Sequence, residues 1–257
     1  VLQRACRDTA HEWHVFHAPR TRRVYSGMHS VASLTELPAR SLTGWSLPGP
    51  FDVGVVASFG YFVPARIVSG FPRGMLNVHP SLLPQYRGPA PIHRAILEGS
   101  TSALGVSVID VHPREIDAGD VWAQQALDGR KIARLDYCSA RDALADMGGE
   151  MVADILRSPE SLAAFANSRR PQCGEPTHAL KVTAQDGALS ATKMSAREID
   201  ARWRALSYGH VLKLTTLSGK AVQILDMAKV EVTATDPSPT YRAAHTSSDS
   251  AHPHCGQ

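Results

Sequence analysis

The hydrophobic positions between residues 52 and 157 alternate between strand-like and helix-like periods. A nearly continuous apolar run at 53–57 is typical of a strand buried on both faces, and further short strands are predicted at 75–78, 105–110 and 121–126. Pro91 opens a predicted helix that ends before Gly99, and apolar residues at helical spacing predict a second helix over 139–157. Strands that alternate with helices indicate an α/β architecture.

The composition changes after Ser168. The stretch 169–177, with two prolines and a glycine, is predicted to be a linker. Ser195 and Glu198 form a capping box that begins a helix, and a hairpin over 211–225 and a short strand at 229–233 complete a small β-rich module. We therefore predict an α/β domain over 1–168, a small module over 178–233 and a disordered tail over 234–257, where Thr, Ser, Pro, Asp and His dominate.

Length and net charge place only weak limits on the fold and the function. The 257 residues suffice for one large and one small domain, and no apolar stretch is long enough to predict a membrane span. The net charge is +3, and residues 181–233 carry eight Lys/Arg against five Asp/Glu. That excess fits contact with a polyanion and equally fits an ordinary solvated surface. The chain begins with Val1, so no targeting segment can be read from it.

Candidate chemistry is concentrated in the segment LNVHPSLLPQYRGPAP at 76–91. Asn77 and His79 lie two residues apart on a predicted strand and therefore project from the same face. The prolines that follow predict a rigid loop beyond the strand end, where open α/β sheets place ligands. The strand at 105–110 runs into 112–120, which offers a carboxylate. An amide, an imidazole and a carboxylate suit acyl transfer, although an Asn-x-His pair alone is more often a satisfied polar pair.

Two longer segments carry a family resemblance. NVHPSLLPQYRGPAPIHRAIL and the later GVSVIDVHPREIDAGDVWAQQ resemble the signature of the folate-dependent formyltransferases. In that family an Asn-x-His-x-Ser-Leu-Leu-Pro segment and a later Asp-x-Gly segment carry the active site. The matching positions are Asn77, His79 and Asp117, followed by Gly119. The resemblance covers about residues 50–160, weakens through 233, and implies a Rossmann-like open, mostly parallel sheet with a small barrel-like module after it.

The resemblance also implies 10-formyltetrahydrofolate as cosubstrate and no metal. The residues after the strand at 53–57 match the lining of the family's pterin pocket, and the alternative is that they are core aromatics at a strand end. The turn at 112–116 would close over the pterin. The implied folate-binding residues are Phe59, Phe62, Val63, Ser81, Leu82, Leu83, Pro84 and His112.

Within the family, the chain resembles the branch that formylates methionyl-tRNA. Segments 179–182 and 195–199 resemble the linker and first helix of that branch's tRNA-holding domain, and His112-Pro113 resembles organellar versions. The expected partners are initiator methionyl-tRNA and folate, the expected state is a monomer, and the expected location is the mitochondrion. Alternatives are a formyl-folate enzyme that acts on a ribonucleotide or amino sugar, and an inactive truncated paralogue.

The implied mechanism assigns a role to each of the three polar residues. The Asn77 amide and a protonated His79 would hold the oxyanion, while Asp117 would favour the charged imidazole and accept a proton from the attacking amine.

The sequence also departs from the family near its start. The family's opening strand, which lies in the middle of the sheet, has no counterpart in residues 1–50, and only 13–16 offers a replacement. Much of the family's tRNA-contacting loop is also missing, and the second module stops early. Two inner strand edges without partners would leave N–H and C=O groups unpaired. We therefore expect low stability and weak activity from the chain as given.

Overall fold

The structure is a computed structural model that describes residues 1–19, 32–38, 41–128, 135–190, 192–216 and 219–227. The helices of these residues are α1 Leu2–Asp8, α2 Ala65–Val68, α3 Pro91–Leu97, α4 Tyr137–Ile155, α5 Pro159–Ser168 and α6 Ala196–Leu206. The strands are β1 His14–His17, β2 Ser33–Glu36, β3 Gly54–Ala57, β4 Met75–His79, β5 Gly105–Asp110, β6 Val121–Ala126, β7 Ala188–Ser190, β8 Leu212–Thr215 and β9 Ala221–Ile224.

The strands form mixed sheets, and the predicted α/β class is confirmed. β1 pairs with β2 in parallel, and β3 pairs with β4 in parallel. The predicted parallel pairing is present in the two-stranded sheet β1–β2 and between β3 and β4, whereas β5 and β6 add antiparallel strands to the four-stranded sheet β3–β4–β5–β6. The connection from β5 to β6 is a loop without a crossover helix, and a short connection of this kind joins antiparallel neighbours.

Most predicted elements are confirmed, with shifted ends. β5 and β6 have the predicted bounds, and the capping box that begins α6 has both of its hydrogen bonds. α4 begins two residues early, because the Asp136 side chain accepts a hydrogen bond from the Ser139 N–H and caps the helix there. α5 and β7 were not predicted. α5 follows α4 after a short turn, and its start is fixed by Ser158 as N-cap and Pro159.

A glycine pair inside α4 allows the helix to approach its neighbours closely. A Cβ on Gly148 would lie 2.7 Å from Val78 Cγ1 in β4, and a Cβ on Gly149 would lie 2.7 Å from Arg4 Cβ in α1. The pair lowers intrinsic helix stability, as the sequence indicates. Its compensation is that α4 lies directly against the sheet and α1, where Leu144 and Ile155 are buried.

The second module packs on the same hydrophobic core as the α/β part. Leu189, Ile199 and Leu206 belong to the buried cluster that also contains Leu76 and Leu144. β7, β8 and β9 form an open three-stranded sheet, so the barrel-like form that we predicted is not reached in the part of the chain that the structure describes. The domain bounds stay a prediction. The strand at 229–233 and the tail at 234–257 lie outside the described residues.

The predicted linker at 169–177 is held at both of its ends. Arg170 exchanges backbone hydrogen bonds with Val121, at 2.7 and 3.0 Å. Just beyond the other end, Arg94 on α3 forms an ion pair with Asp186 at 2.6 Å and donates to the Leu180 carbonyl at 2.9 Å. The pKa of the Asp186 carboxyl is lowered to about 2, chiefly by its hydrogen bond with Arg94. The stretch is therefore bonded to β6 near its start, and the chain beyond its end is bonded to α3.

A cavity of about 550 Å³ lies between β1 and β3. Residues 11–16 line one side and residues 52–57 the other, and no backbone hydrogen bond joins β1 to β3 within the described ranges. The stretch 13–16 therefore does not replace the opening strand, because β1 pairs only with β2. The prediction that β3 is buried on both faces is wrong, since the cavity beside it leaves Val55 and Val56 half-buried. Among the described residues, β1 and β3 each have one edge without a backbone partner.

A strand supplied to this cavity should stabilise the fold. We expect an N-terminal extension with an alternating apolar strand to raise Tm by at least about 4 °C, because each new buried hydrogen bond contributes about 1 kcal/mol. The measurement is thermal unfolding by circular dichroism of residues 1–257 with and without the extension. The control is the same extension with prolines in its strand, which cannot complete the hydrogen bonds. Equal Tm values for the two extended proteins would refute the idea that the cavity is a strand site.

Candidate active site

β4 carries the two polar residues that the sequence singled out. Asn77 is half-buried and His79 is only 4% exposed, and both project from the same face of the strand. Beyond β4, residues 80–90 form the loop that the prolines predicted. Its chain returns to His79, because the Tyr86 carbonyl lies 2.9 Å from Nε2 of the imidazole.

Asp117 reaches His79 because the loop after β5 turns sharply. The backbone of Asp117 has a φ of 56°, in the left-handed region that few residues other than glycine adopt. Two residues later, a Cβ on Gly119 would lie 1.9 Å from the Asp110 carbonyl oxygen, so only glycine fits there. The spacing in Asp-x-Gly thus has a physical reason. The glycine lets the loop fold back on the end of β5, and the aspartate then points toward β4.

Three groups surround the Asp117 carboxylate, and two of them donate hydrogen bonds to it. Oδ1 accepts a hydrogen bond from Asn77 Nδ2 at 2.9 Å, and Oδ2 accepts one from the Gly88 N–H at 2.8 Å. His79 Nδ1 lies 3.5 Å from Oδ2, and the Asp117 side chain is 8% exposed. The predicted convergence of Asn77, His79 and Asp117 is therefore confirmed. Gly88 joins them as a donor that the sequence did not indicate, at a φ of 114° that suits glycine.

Burial controls the charge of His79. Loss of solvent lowers the pKa of its imidazole below the ordinary value of 6.5, while Asp117 and the Tyr86 carbonyl oppose this effect. The prediction was that a protonated His79 holds the oxyanion, whereas the lowered pKa favours a neutral imidazole in the free protein. A neutral ring that donates from Nε2 to the Tyr86 carbonyl leaves Nδ1 as a base beside Asp117.

Asn77 has a hydrogen-bond donor to spare. Its amide carries two N–H groups, and within the described residues only the one toward Asp117 is bonded. The bond to Asp117 fixes the orientation of the amide. The second N–H is thus available at the strand end to an oxygen that develops negative charge.

Six of the eight residues implied to bind folate are apolar, and they occupy three different environments. Phe59 and Val63 pack with Tyr61 and Val111 in one apolar cluster, and Phe62 beside them is 54% exposed. Leu83 is buried against Ile109 and Val121, and Pro84 is buried beside it. Leu82 packs over Gly105, with Cδ2 2.5 Å from the position of an added Cβ.

Ser81 and His112 have structural partners. Ser81 is fully buried, and its hydroxyl donates to the Gln85 carbonyl at 2.6 Å. His112 Nδ1 accepts the Glu115 N–H at 2.9 Å and so closes the turn at 112–115. These contacts indicate that each of the two side chains shapes the loop in which it lies. Whether the eight residues bind folate stays a prediction.

The cavity between β1 and β3 is separate from the polar site. Phe59 and Val63 lie on its lining, whereas Asn77, His79 and Asp117 do not. The cavity lining is mixed, with His11, Glu12 and Asp52 beside its apolar residues. The catalytic role of Asn77, His79 and Asp117 at the end of β4 stays a prediction.

Sequence reasoning missed the residues that support the site. Thr177 Oγ1 accepts the Tyr86 N–H at 2.8 Å, and the side chain of Gln172 contacts both Arg87 and the Asp117 loop. Both residues lie in the Pro/Gly-rich stretch that predicts only a linker. No motif marks them, because their role depends on the return of the chain to the β4 loop about 90 residues later.

The three polar residues lie in a part of the chain that is similar to known proteins. Residues 48–140 match the family model described as formyl transferase, and this range includes the three polar residues. The mitochondrial methionyl-tRNA formyltransferase of Bos taurus is 35% identical over 185 residues, 71% of this chain and 45% of that protein. The methionyl-tRNA formyltransferase of Coprothermobacter proteolyticus is 34% identical over 184 residues, 70% of this chain and 56% of that protein. The chain thus spans about half the length of these relatives.

Solved structures share the fold. A 4-N formyltransferase from Francisella tularensis superposes with a TM-score of 0.65 at 17% identity, covering 84% of this chain and 86% of that one. HypX from Aquifex aeolicus in complex with tetrahydrofolic acid gives a TM-score of 0.58 at 18% identity, covering 84% and 38%. At such identities the likeness concerns the fold alone. Residues 48–140, which contain Asn77, His79 and Asp117, therefore belong to the formyl transferase family.

Proposed function

We propose that this chain transfers a formyl group from 10-formyltetrahydrofolate to the α-amine of methionyl-tRNA. The observation that carries the proposal is the contact of the Asp117 carboxylate with both Asn77 and His79 inside the family-matched segment. Relatives named methionyl-tRNA formyltransferase support the choice of substrate. A neighbour solved with tetrahydrofolic acid supports use of a folate.

The three residues divide the proton and charge changes of formyl transfer. Attack by an amine puts negative charge on the formyl oxygen, and the free N–H of Asn77 is the donor that stabilises it. The attacking nitrogen must lose a proton, and the leaving nitrogen of the folate must gain one. The Asp117–His79 pair accepts the first proton and returns it to the leaving nitrogen, so the protein ends unchanged.

Two exposed apolar side chains lie beside the segments that lead to the polar site. Phe62 and Ile116 are 54% and 63% exposed. Phe62 follows β3, and Ile116 is adjacent to Asp117. We propose that they contact the pterin ring of 10-formyltetrahydrofolate, the cosubstrate that supplies the formyl group.

The second module is proposed to hold the tRNA. Its exposed basic side chains include Lys181, Lys193, Arg197, Lys213 and Lys220. Such side chains neutralise phosphates, and this neutralisation supplies most of the non-specific affinity for nucleic acid.

The names of the mammalian relatives support a mitochondrial location, and we propose a monomer. No helix among the described residues is both long and apolar enough to cross a bilayer.

The direct test is formyl transfer by purified protein to charged initiator tRNA from labelled 10-formyltetrahydrofolate. We expect weak activity in the wild-type chain and a further decrease in kcat of ~100-fold or more in Asn77→Ala, since loss of one oxyanion donor has about this effect. A decrease of similar size is expected in His79→Ala, because general acid–base catalysis contributes ~100-fold or more. KM for the folate should change less, because both groups act on charge that develops in the transition state.

Asn167→Ala is the matched control, because Asn167 is an exposed asparagine on α5. It should keep wild-type kcat. A wild-type chain without transfer to charged tRNA, at concentrations where it is folded, would reject the proposed activity and favour an inactive paralogue. Near-wild-type kcat in Asn77→Ala would remove that residue from the mechanism.

The pH titration of His79 tests how burial and Asp117 set the pKa of its imidazole. Its imidazole signal, assigned by NMR with the His79→Gln variant, should titrate below pH 6.5, because burial lowers its pKa. Asp117→Asn removes the charge that opposes this effect, so the midpoint should move to still lower pH. The unfolded chain binds a proton at about pH 6.5, so stability should fall as pH decreases from there toward the folded pKa.

Asp120→Asn is the control for this titration, because Asp120 lies on the same loop without contact to His79. It should leave the midpoint unchanged. If the midpoint in Asp117→Asn stayed constant or rose, Asp117 would not interact with the imidazole as the geometry indicates.

A further inference from the structure

Gln172 lies in the stretch between the two modules, and every polar atom of its side chain is used. Nε2 donates to the Asp117 carbonyl at 2.8 Å and to the Gly119 carbonyl at 2.9 Å. Oε1 accepts from Arg87, with Nη2 at 2.8 Å and Nε at 3.1 Å. A glutamine with both of its ends bonded to two different loops has a single fixed orientation.

The two carbonyls that Gln172 contacts bracket the Asp117 backbone turn. The left-handed φ of 56° at Asp117 costs free energy and persists only where the surroundings hold it. Gly119 allows the turn but provides no hydrogen bond that holds it. Within the described ranges, Gln172 provides the hydrogen-bond donors to the carbonyls of Asp117 and Gly119.

The Arg87 end of Gln172 reaches the other loop that fixes the carboxylate. Arg87 directly precedes Gly88, whose N–H donates to Asp117 Oδ2 at 2.8 Å. Arg87 also forms an ion pair with Glu115 at 2.9 Å, across the start of the Asp117 loop. Gln172 therefore lies between the loop that contains Asp117 and the loop that binds its side chain.

We propose that Gln172 is a positioning residue that holds the Asp117 carboxylate against Asn77 and His79. The role rests on the proposed function of these three residues. Gln172 has no titratable group, and its contacts are with the two loops, so it acts on the reaction through Asp117. The segment that leads to the second module is thereby part of the architecture of the active site.

Two substitutions separate the two ends of the side chain. Gln172→Glu keeps the size and the acceptor for Arg87, but replaces the donor with an oxygen that faces two carbonyls. Gln172→Met keeps a similar length and loses both ends. Gln185→Glu, at an exposed glutamine in the same half of the chain, is the control for added charge.

We expect Gln172→Glu to lower kcat by ~10-fold or more, with little change in KM for either substrate, because displaced acid–base groups slow the chemical step. The His79 titration midpoint should also move to lower pH, toward that of Asp117→Asn, since the carboxylate is less well held. Gln172→Met should behave alike, and Gln185→Glu should match the wild type. Thermal unfolding of each variant, measured in parallel, ensures that folded protein is compared.

Three outcomes would overturn the proposal. The first is that Gln172→Glu keeps the wild-type kcat and the wild-type His79 titration midpoint. The second is that kcat decreases in Gln172→Met alone, and the third is that kcat decreases equally in Gln185→Glu. The second would assign the effect to Arg87. A wild-type chain that transfers no formyl group would reject the proposed function instead. The shift of the His79 midpoint would still test the positioning role, because it needs no substrate.

Discussion

The close approach of Gly119 to the Asp110 carbonyl is the constraint on which the polar site depends. A Cβ at this position would lie 1.9 Å from that oxygen, so the loop after β5 folds back only with glycine there. That return directs Asp117 toward β4, where Asn77 and the Gly88 N–H bond its two oxygens. Hydrogen bonds from Asn77 and Gly88 thus hold the Asp117 carboxylate, and the bond to Asp117 fixes the orientation of the Asn77 amide.

The sequence predicts what local patterns determine. β5, β6 and the capping box of α6 follow from alternation and from residue types at fixed offsets. The convergence of Asn77, His79 and Asp117 was expected from a family signature, because period-two spacing alone cannot show what faces a strand. The role of 169–177 could not be predicted, since Pro and Gly indicate a linker. The contacts of Gln172 and Thr177 arise from tertiary return of the chain.

The charge state of His79 was also beyond sequence reasoning. A histidine beside a carboxylate suggests an imidazolium, and that was our expectation. The structure buries the ring to 4% exposure, and loss of solvent outweighs the attraction of Asp117. A base that is neutral at rest suits the acceptance of a proton from an amine. The burial that produces it comes from the Tyr86 loop and the sheet, which no local pattern reveals.

The path of residues 169–179 limits how this polypeptide can be divided or recombined. The backbone of this stretch bonds first to Val121 and then, through Thr177 and Ala179, to the loop at 84–90. A catalytic part cut at Ser168, where the composition changes, would lose these bonds and the Gln172 side chain along with the second module. Exchange of the second module between homologous proteins would therefore preserve the loops around Asn77, His79 and Asp117 only if the crossover lies beyond Ala179.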